Sequence, residues 1–146
     1  KEGLARTYLV RDKATKELVG YFSLRVGSII QPCGLSFHTY SVPGIELENL
    51  GVNQGYRNMH PEIKKLGKRI IRYFAYPIAK EIAVIAGAKI FYIFAVPEDT
   101  LISYYEKLGF QHETAINRFF INWHSRPSYD KDCLFMYCTF ANNKFN

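Results

Sequence analysis

Runs of apolar residues, alternating or continuous, divide the chain into strands separated by polar turns. Arg6–Arg11 and Leu18–Ile30 are rich in β-forming residues and flank a polar segment, so they predict an antiparallel hairpin. Ile45–Val52 alternates apolar and polar positions, which is typical of a half-buried strand, whereas Lys89–Val96 is almost continuously apolar, which is typical of a strand buried on both faces. The segment Gln31–Gly44 holds prolines and glycines near both ends, and this composition predicts a loop.

One long helix is predicted between the last two of these strands. Apolar residues recur every three or four positions from Ile63 to Ile85, which places them on one helical face. Pro77 lies inside this helix and predicts a kink, because proline has no backbone N–H to donate. Gly87 predicts the end of the helix. The polar segment Asn53–Pro61 that precedes the helix is predicted to be a turn.

The last third of the chain predicts a short helix and two strands. Thr100–Leu108 is the helix, which ends at Gly109. Phe110–Ala115 and Cys133–Phe140 are predicted strands, and the aromatic, basic segment between them, Ile116–Asp132, is predicted to be a connection. The resulting order, β-β-β-α-β-α-β-β, predicts an α/β fold in which a mixed sheet of about six strands has helices on its faces.

The composition is that of one globular domain with a core. The chain has 146 residues, 48% of them hydrophobic, which suits a single domain over residues 1–140 followed by a tail at 141–146. No apolar stretch is long enough to span a bilayer and no signal peptide is recognisable, so we expect a cytoplasmic protein without a membrane partner. Because the three cysteines lack a CxxC spacing and the four histidines lack an HExxH pattern, neither a disulfide nor a metal site is predicted.

The chain is basic, with a formal net charge of +6. Part of this charge is concentrated at the start of the long helix. The concentrated residues are Lys64, Lys65, Lys68, Arg69 and Arg72. Two interpretations stay open: a basic, solvated surface, or a site for an anionic partner, which would be a phosphorylated cofactor or RNA.

Three short motifs fall at characteristic places in this order of elements. The third strand ends in Leu50-Gly51-Val52 and is followed by Tyr56-Arg57, and the long helix opens with Lys64-Lys65-Leu66-Gly67-Lys68-Arg69. The short helix ends in Tyr104-Tyr105-Glu106-Lys107-Leu108-Gly109-Phe110. All three motifs resemble motifs of the GNAT acyltransferase family. The first resembles the lead into the cofactor loop, the second the pyrophosphate loop Q/R-x-x-G-x-G/A, and the third the motif F-Y-E-K-L-G-F. The resemblance covers nearly the whole chain.

The resemblance implies a GNAT-like acyl-CoA N-acyltransferase fold with a mostly antiparallel mixed sheet and acetyl-CoA as co-substrate, without a metal. It implies transfer of an acetyl group by direct attack of an amine in a ternary complex. The family's N-terminal strand and helices are absent from this chain, so part of the acceptor site is expected to be missing or to lie outside this chain. Two residues also depart from the family pattern: Arg69 replaces the last small residue of the pyrophosphate loop, and Glu98 stands where the family often has Asn.

The resemblance places the cofactor at the opening of the long helix. A helix N-terminus offers backbone donors and a positive field to a diphosphate, and Gly67 lets the backbone approach it closely. The backbone at Leu50 and Val52 would face the pantetheine arm, as in the family. The remaining predicted cofactor residues are Arg57, Lys65, Leu66, Lys68 and Arg69. The alternative interpretation of the basic residues is a solvated helix end with an incidental glycine.

Three residues are candidates for proton transfer. Glu46 and Glu48 alternate on one strand and therefore share a face, and neighbouring carboxylates favour one of the pair as a general base near neutral pH. The alternative for both is a solvated position on an exposed sheet face. Tyr105 matches the family tyrosine whose hydroxyl approaches the leaving thiolate, and its alternative role is packing against the short helix.

These observations together predict an N-acetyltransferase that acts on a small-molecule or peptide amine. Two alternatives stay open: an acetyltransferase toxin that acts on aminoacyl-tRNA, with RNA as a partner, and a non-catalytic module that binds nucleic acid or CoA. A homodimer is also left open. The aromatic segments Gln31–Gly44 and Ile116–Asp132 are expected to surround the acceptor pocket, and the alternative for their aromatic residues is packing against the sheet.

Overall fold

The computed structural model of the chain describes residues 5–34, 38–126 and 132–141. Within these residues six strands form one sheet in the order β1-β2-β3-β4-β6-β5. The strands are β1 (Arg6–Arg11), β2 (Leu18–Pro32), β3 (Thr39–Val52), β4 (Ile90–Ala95), β5 (Gln111–His112) and β6 (Leu134–Thr139). Only β3 and β4 pair in parallel, and the other neighbours are antiparallel. The predicted mixed, mostly antiparallel sheet is therefore confirmed.

The helices occur between β3 and β4 and after β4. They are α1 (Gln54–Met59), α2 (Leu66–Ile70), α3 (Tyr76–Ala86), α4 (Asp99–Leu108) and α5 (Ala115–His124), with a π-helical turn at Ile71–Ala75 between α2 and α3. None of these helices is long and apolar enough to cross a membrane.

The predicted long helix is present as one continuous run from α2 to α3, and its irregularity is a π-helical turn. The Tyr76 N–H donates to the carbonyl of Ile71, five residues earlier. Pro77 follows directly, and its ring would clash with the carbonyl four residues before it in a regular helix. The wider π turn avoids this clash. Gly87 ends the helix in the left-handed conformation, as predicted, with φ of 71°.

The sheet buries apolar side chains on both faces. On one face, Phe91 packs in a large cluster with Ile45 and with Ile70 and Ile71 of the long helix. On the other face, Tyr92 packs in a smaller cluster that includes Ile121 of α5. The predicted burial of β4 on both faces is confirmed, since neighbouring residues of this strand belong to different clusters.

The predicted loop Gln31–Gly44 is wrong over most of its length. β2 and β3 form a long hairpin that extends from the Gly20–Val52 pair to the Pro32–Thr39 pair, so only residues 33–38 connect the strands. Pro43 is tolerated within β3 because its carbonyl accepts from the Lys89 N–H at 2.8 Å, on the side of β3 away from β2. The proline nitrogen points to that same side, ahead of the β3–β4 pairing, so the ladder with β2 requires no N–H from it. Residues 35–37 of the predicted loop lie outside the described residues.

Two helices replace segments that were predicted to be irregular. Asn53 caps α1 by accepting hydrogen bonds from the N–H groups of Gly55 and Tyr56 at 2.9 and 3.4 Å, so the predicted turn at Asn53–Pro61 is wrong. Thr114 caps α5 in the same way, and α5 occupies the first part of the connection that was predicted at Ile116–Asp132.

The same region explains the short β5. The predicted strand Phe110–Ala115 is reduced to Gln111–His112, because the cap and first turn of α5 take its last residues. Residues 127–131 of the connection and residues 142–146 of the predicted tail lie outside the described residues.

A carboxylate in the turn between β1 and β2 holds α1 against the sheet. Asp12 accepts from the N–H groups of Ala14 and Thr15 at 2.8 and 3.0 Å and from the Tyr56 hydroxyl at 2.7 Å. The Tyr56 hydrogen bond, with these backbone donors, lowers the pKa of Asp12 from 3.8 to about 2. Because Tyr56 belongs to α1, this contact also fixes the position of its neighbour Arg57.

We expect Asp12→Asn to destabilise the protein at neutral pH by an amount that shrinks in acid. A carboxyl whose folded pKa is depressed contributes stability above its unfolded pKa, here 3.8, and loses it as the pH falls through the folded value of about 2. Urea unfolding of the parent and the variant, from neutral pH down to about pH 2, measures the difference in the free energy of unfolding. Glu81→Gln is the control, since Glu81 is exposed on α3. An equal pH dependence of the control would contradict the assignment to Asp12.

Candidate active site

The two parallel strands part after a short contact, and the main cavity lies where they separate. β3 and β4 pair only at Gly44–Ile90, Ile45–Phe91 and Glu46–Tyr92. Beyond this point a cavity of about 570 Å³ lies between them. Its strand walls are formed by Leu47, Glu48, Asn49, Leu50 and Val52 of β3 and by Ile93, Phe94, Ala95 and the following Val96. The cavity thus exposes the second half of β3 on its inner side.

Most residues that the sequence predicted for the site line this one cavity. They are Glu48, Leu50, Val52, Arg57, Lys65, Leu66, Gly67, Lys68 and Tyr105. Arg69 lies instead in an adjoining groove, which is formed with Lys64, Arg72 and Tyr73 and shares Lys65 and Lys68 with the cavity. We call this the basic groove. Glu46 is not among the cavity-lining residues.

Sequence reasoning did not name nine of the residues that line the cavity. Five of them are the apolar residues Leu47, Ile93, Phe94, Ala95 and Val96, and the other four are Asn49, Leu101, Tyr104 and Cys133. Tyr104 was recognisable, since it precedes Tyr105 in the motif that resembles the family. Cys133 is far away in sequence, and only the pairing of β6 with β4 brings it to the site.

The opening of the long helix has the features that a diphosphate needs. Lys65 adopts a left-handed conformation with φ of 60°, which is uncommon for a residue other than glycine and concentrates at functional sites. No side chain caps the helix that begins at Leu66. A Cβ atom at Gly67 would lie 3.2 Å from the Tyr104 hydroxyl and 3.8 Å from Val52, so the missing side chain leaves a space in the cavity wall. These residues fit the pyrophosphate of acetyl-CoA.

The two candidate carboxylates share a face, as predicted, but lie in different environments. Only 3% of the Glu46 side chain is exposed. Arg25 donates to its Oε2 from Nε at 3.0 Å and also from Nη2, and the Tyr92 hydroxyl is a further partner. Burial raises the pKa of Glu46, and the hydrogen bonds and charge of Arg25 offset part of this effect. The Glu46 carboxylate is therefore hydrogen-bonded within the sheet and does not face the cavity.

Glu48 is the carboxylate at the cavity wall. Its side chain is 19% exposed, and its Oε1 lies 3.8 Å from Nη1 of Arg25. This separation is short enough for an ion pair but too long for a hydrogen bond. Arg25 thus contacts both carboxylates, with its hydrogen bonds directed to Glu46. The Glu48 carboxylate thus lies at the cavity wall without a hydrogen bond from Arg25.

Two features of β2 bring the partners of Glu46, Arg25 and Tyr92, to this position. The pairing of β2 with β3 shifts by one residue between Ser23 and Leu24, and the shift sets Arg25 opposite Glu46. At Gly27 a Cβ atom would lie 2.5 Å from the Tyr92 hydroxyl, so the glycine provides the space that the Tyr92 ring occupies. The alternation of polar residues along β3 contains no signal for either feature.

Two consecutive tyrosines of α4 close the cavity on another side. The Tyr105 ring packs edge to face on Phe110, with ring centroids 5.7 Å apart. Tyr104 packs against Tyr105 at 5.3 Å, and its hydroxyl is buried without a hydrogen-bond partner among the described residues. Burial raises the pKa of both tyrosines, so both hydroxyls hold their protons at neutral pH. In the described part of the chain, no group of three His, Cys, Asp or Glu residues could hold a metal ion.

No protein-family model and no curated protein sequence matches the chain, whereas solved structures match its fold. A KacTA–DNA complex is 13% identical over 97% of this chain and 71% of its own, with a TM-score of 0.63. AtaTR bound with acetyl-CoA is 13% identical over 94% of this chain and 72% of its own, with a TM-score of 0.63. AtaT complexed with acetyl-methionyl-tRNAfMet is 11% identical over 94% and 72%, with a TM-score of 0.61.

These similarities are similarities of fold. The chain has the GNAT fold of KacT and AtaT, and the predicted fold class is confirmed. The chain spans about 70% of the length of these structures.

We expect Arg25→Met to destabilise the protein by about 3–5 kcal/mol, because it leaves the buried Glu46 without a partner. Glu46→Leu should cost less, since Arg25 is 24% exposed and keeps Glu48 as a partner. The double variant should recover most of the lost stability. Urea unfolding of the four proteins measures this coupling. Additive losses in the double variant would contradict the proposed pairing.

Proposed function

We propose that this protein is an acetyl-CoA-dependent N-acetyltransferase whose acceptor is the α-amino group of an aminoacyl-tRNA. The observation that supports this proposal is that Glu48, Gly67 and Tyr105 line one cavity, which lies where the parallel strands β3 and β4 separate. The fold supports it, because a protein of the same fold, AtaT, has been solved with acetyl-CoA and with acetyl-methionyl-tRNAfMet.

The cofactor would lie along the second half of β3. Leu50 and Val52 pair with β2 but lie beyond the β3–β4 pairing. Their backbone would bind the pantetheine arm, and the space at Gly67 would receive the diphosphate. Lys65, Lys68 and Arg57 would add positive charge, with Leu66 and Arg69 beside them. When bound, acetyl-CoA supplies an acetyl thioester, which an amine attacks directly.

Glu48 would accept the proton that the acceptor amine must lose. An ammonium group is not nucleophilic, so a carboxylate within reach of the amine assists the reaction. Of the two predicted bases, Glu48 faces the cavity, and Glu46 would position Arg25 beside it. The Tyr105 hydroxyl, whose raised pKa keeps it protonated, would give its proton to the departing sulfur.

The basic groove supports tRNA as the molecule to which the acceptor amino acid is attached. Five of its six residues are Lys or Arg, and none is acidic. The guanidinium of Arg72 lies 5.9 Å from the ring centre of Tyr73, and that ring is 62% exposed. Cationic side chains bind phosphates, and exposed aromatic rings stack on bases. A groove of this charge fits a polyanionic acceptor better than an uncharged small amine.

Acetyl transfer from labelled acetyl-CoA to aminoacyl-tRNA tests the function. We expect Glu48→Gln to lower kcat/KM by about 100-fold or more, because the proton acceptor is lost. Glu81→Gln, an exposed carboxylate on α3, is the matched control and should keep the parental rate.

The acceptor is tested in the same assay. Transfer to aminoacyl-tRNA should be steeply salt-dependent, as phosphate contacts require. Transfer to free amines or peptides and not to aminoacyl-tRNA would support acetyltransferase activity but contradict the proposed acceptor. Binding of acetyl-CoA without transfer to any amine would contradict the proposed catalytic activity.

For Tyr105→Phe we predict a fall in turnover of about 100-fold at saturating acetyl-CoA, since only the proton donor is removed. The ring packing on Phe110 is kept, so the melting temperature and the affinity for acetyl-CoA should change little. Tyr8→Phe is the control, because Tyr8 stacks on Phe22 away from the cavity. Unchanged turnover in Tyr105→Phe would mean that the thiolate leaves without a protein acid.

A further inference from the structure

The tyrosine that precedes Tyr105 adds a hydroxyl that the family motif lacks. The motif F-Y-E-K-L-G-F begins with Phe, whereas this chain has Tyr104 at that position. The Tyr104 ring can replace the phenylalanine in packing, as its edge-to-face contact with Tyr105 indicates. The hydroxyl is therefore the part of the side chain that packing does not explain.

This hydroxyl lies against the predicted phosphate loop. It is 3.2 Å from the position that a Cβ atom of Gly67 would occupy. Tyr104 lines both the main cavity and a second groove of about 230 Å³, together with Lys65, Lys68 and Lys107. An anion that enters beside Gly67 would therefore meet the Tyr104 hydroxyl as well as the lysines.

In the free protein the hydroxyl is unfavourable. Its oxygen is buried and has no hydrogen-bond partner among the described residues. A buried polar group without a partner lowers folding stability relative to an apolar group of the same shape. Because burial raises its pKa, the hydroxyl stays protonated and is available as a donor. A phosphate oxygen is a strong acceptor for such a donor.

We propose that the Tyr104 hydroxyl donates a hydrogen bond to the diphosphate of acetyl-CoA beside Gly67. The inference rests on the proposed function, in that acetyl-CoA is the ligand. It separates the two tyrosines by role: Tyr104 binds the diphosphate, and Tyr105 acts at the sulfur. Since consecutive helical residues point about 100° apart, the two hydroxyls serve different parts of one extended cofactor.

The test compares stability and binding in Tyr104→Phe. Thermal unfolding of the free variant should give a melting temperature higher by about 2 °C or more, because an unpartnered hydroxyl is removed. Calorimetry should give a Kd for acetyl-CoA that is about tenfold higher or more, because a charge-assisted hydrogen bond is lost. A residue with a structural role alone would not combine these opposite changes.

Two controls separate the phosphate contact from other effects. Tyr105→Phe removes the neighbouring hydroxyl and should leave the Kd for acetyl-CoA near the parental value. Acetyl-pantetheine lacks the diphosphate, so Tyr104→Phe should bind it as tightly as the parent does.

Three results would overturn the inference while the proposed function stands: a lower melting temperature, a Kd for acetyl-CoA within twofold of the parent, or an equal loss with acetyl-pantetheine. Failure of the parent itself to bind acetyl-CoA would overturn the proposed function and this inference together.

Discussion

The short parallel contact between β3 and β4 is the constraint on which the site depends. Paired strands lie about 4.8 Å apart and leave no room between them. Here pairing stops at Glu46 and Tyr92, and the freed strand segments become the walls of the cavity. The long helix between these strands delivers its N-terminus to the same place. One interruption in the sheet therefore creates both the space and a strand edge, on the β4 side of β3, that an extended ligand can bind.

A buried carboxylate, Glu46, lies at the point where β3 and β4 separate. Glu46 is costly to bury, and its hydrogen bonds to Arg25 and Tyr92 offset that cost. The same arginine stands beside Glu48 without hydrogen-bonding it. The structure thus divides the work between two carboxylates of one strand. One is fixed inside the sheet, and the other lines the cavity, where the proposed function needs a base.

Much of the fold was predictable from local patterns, and the errors have physical causes. Strands β1 and β4 and the end of the long helix at Gly87 follow from apolar runs and from the conformation that glycine adopts. Helices α1 and α5 were missed although Asn53 and Thr114, which cap them, are residue types that commonly begin helices. Short helices contain little periodic signal, and the aromatic residues of α5 favour strands when they are considered by propensity alone.

The sequence by itself determined which residues have the chemistry of the site. The glycine motif, the tyrosine motif and the alternation of Glu46 with Glu48 are local properties, and most of these residues line one cavity. Only the tertiary structure decided what separates the two carboxylates. A one-residue shift in the pairing of β2 sets Arg25 opposite Glu46 and leaves Glu48 as the extra residue of β3, beyond the end of the β3–β4 pairing. Both depend on contacts between residues distant in sequence, which no periodicity along one strand can encode.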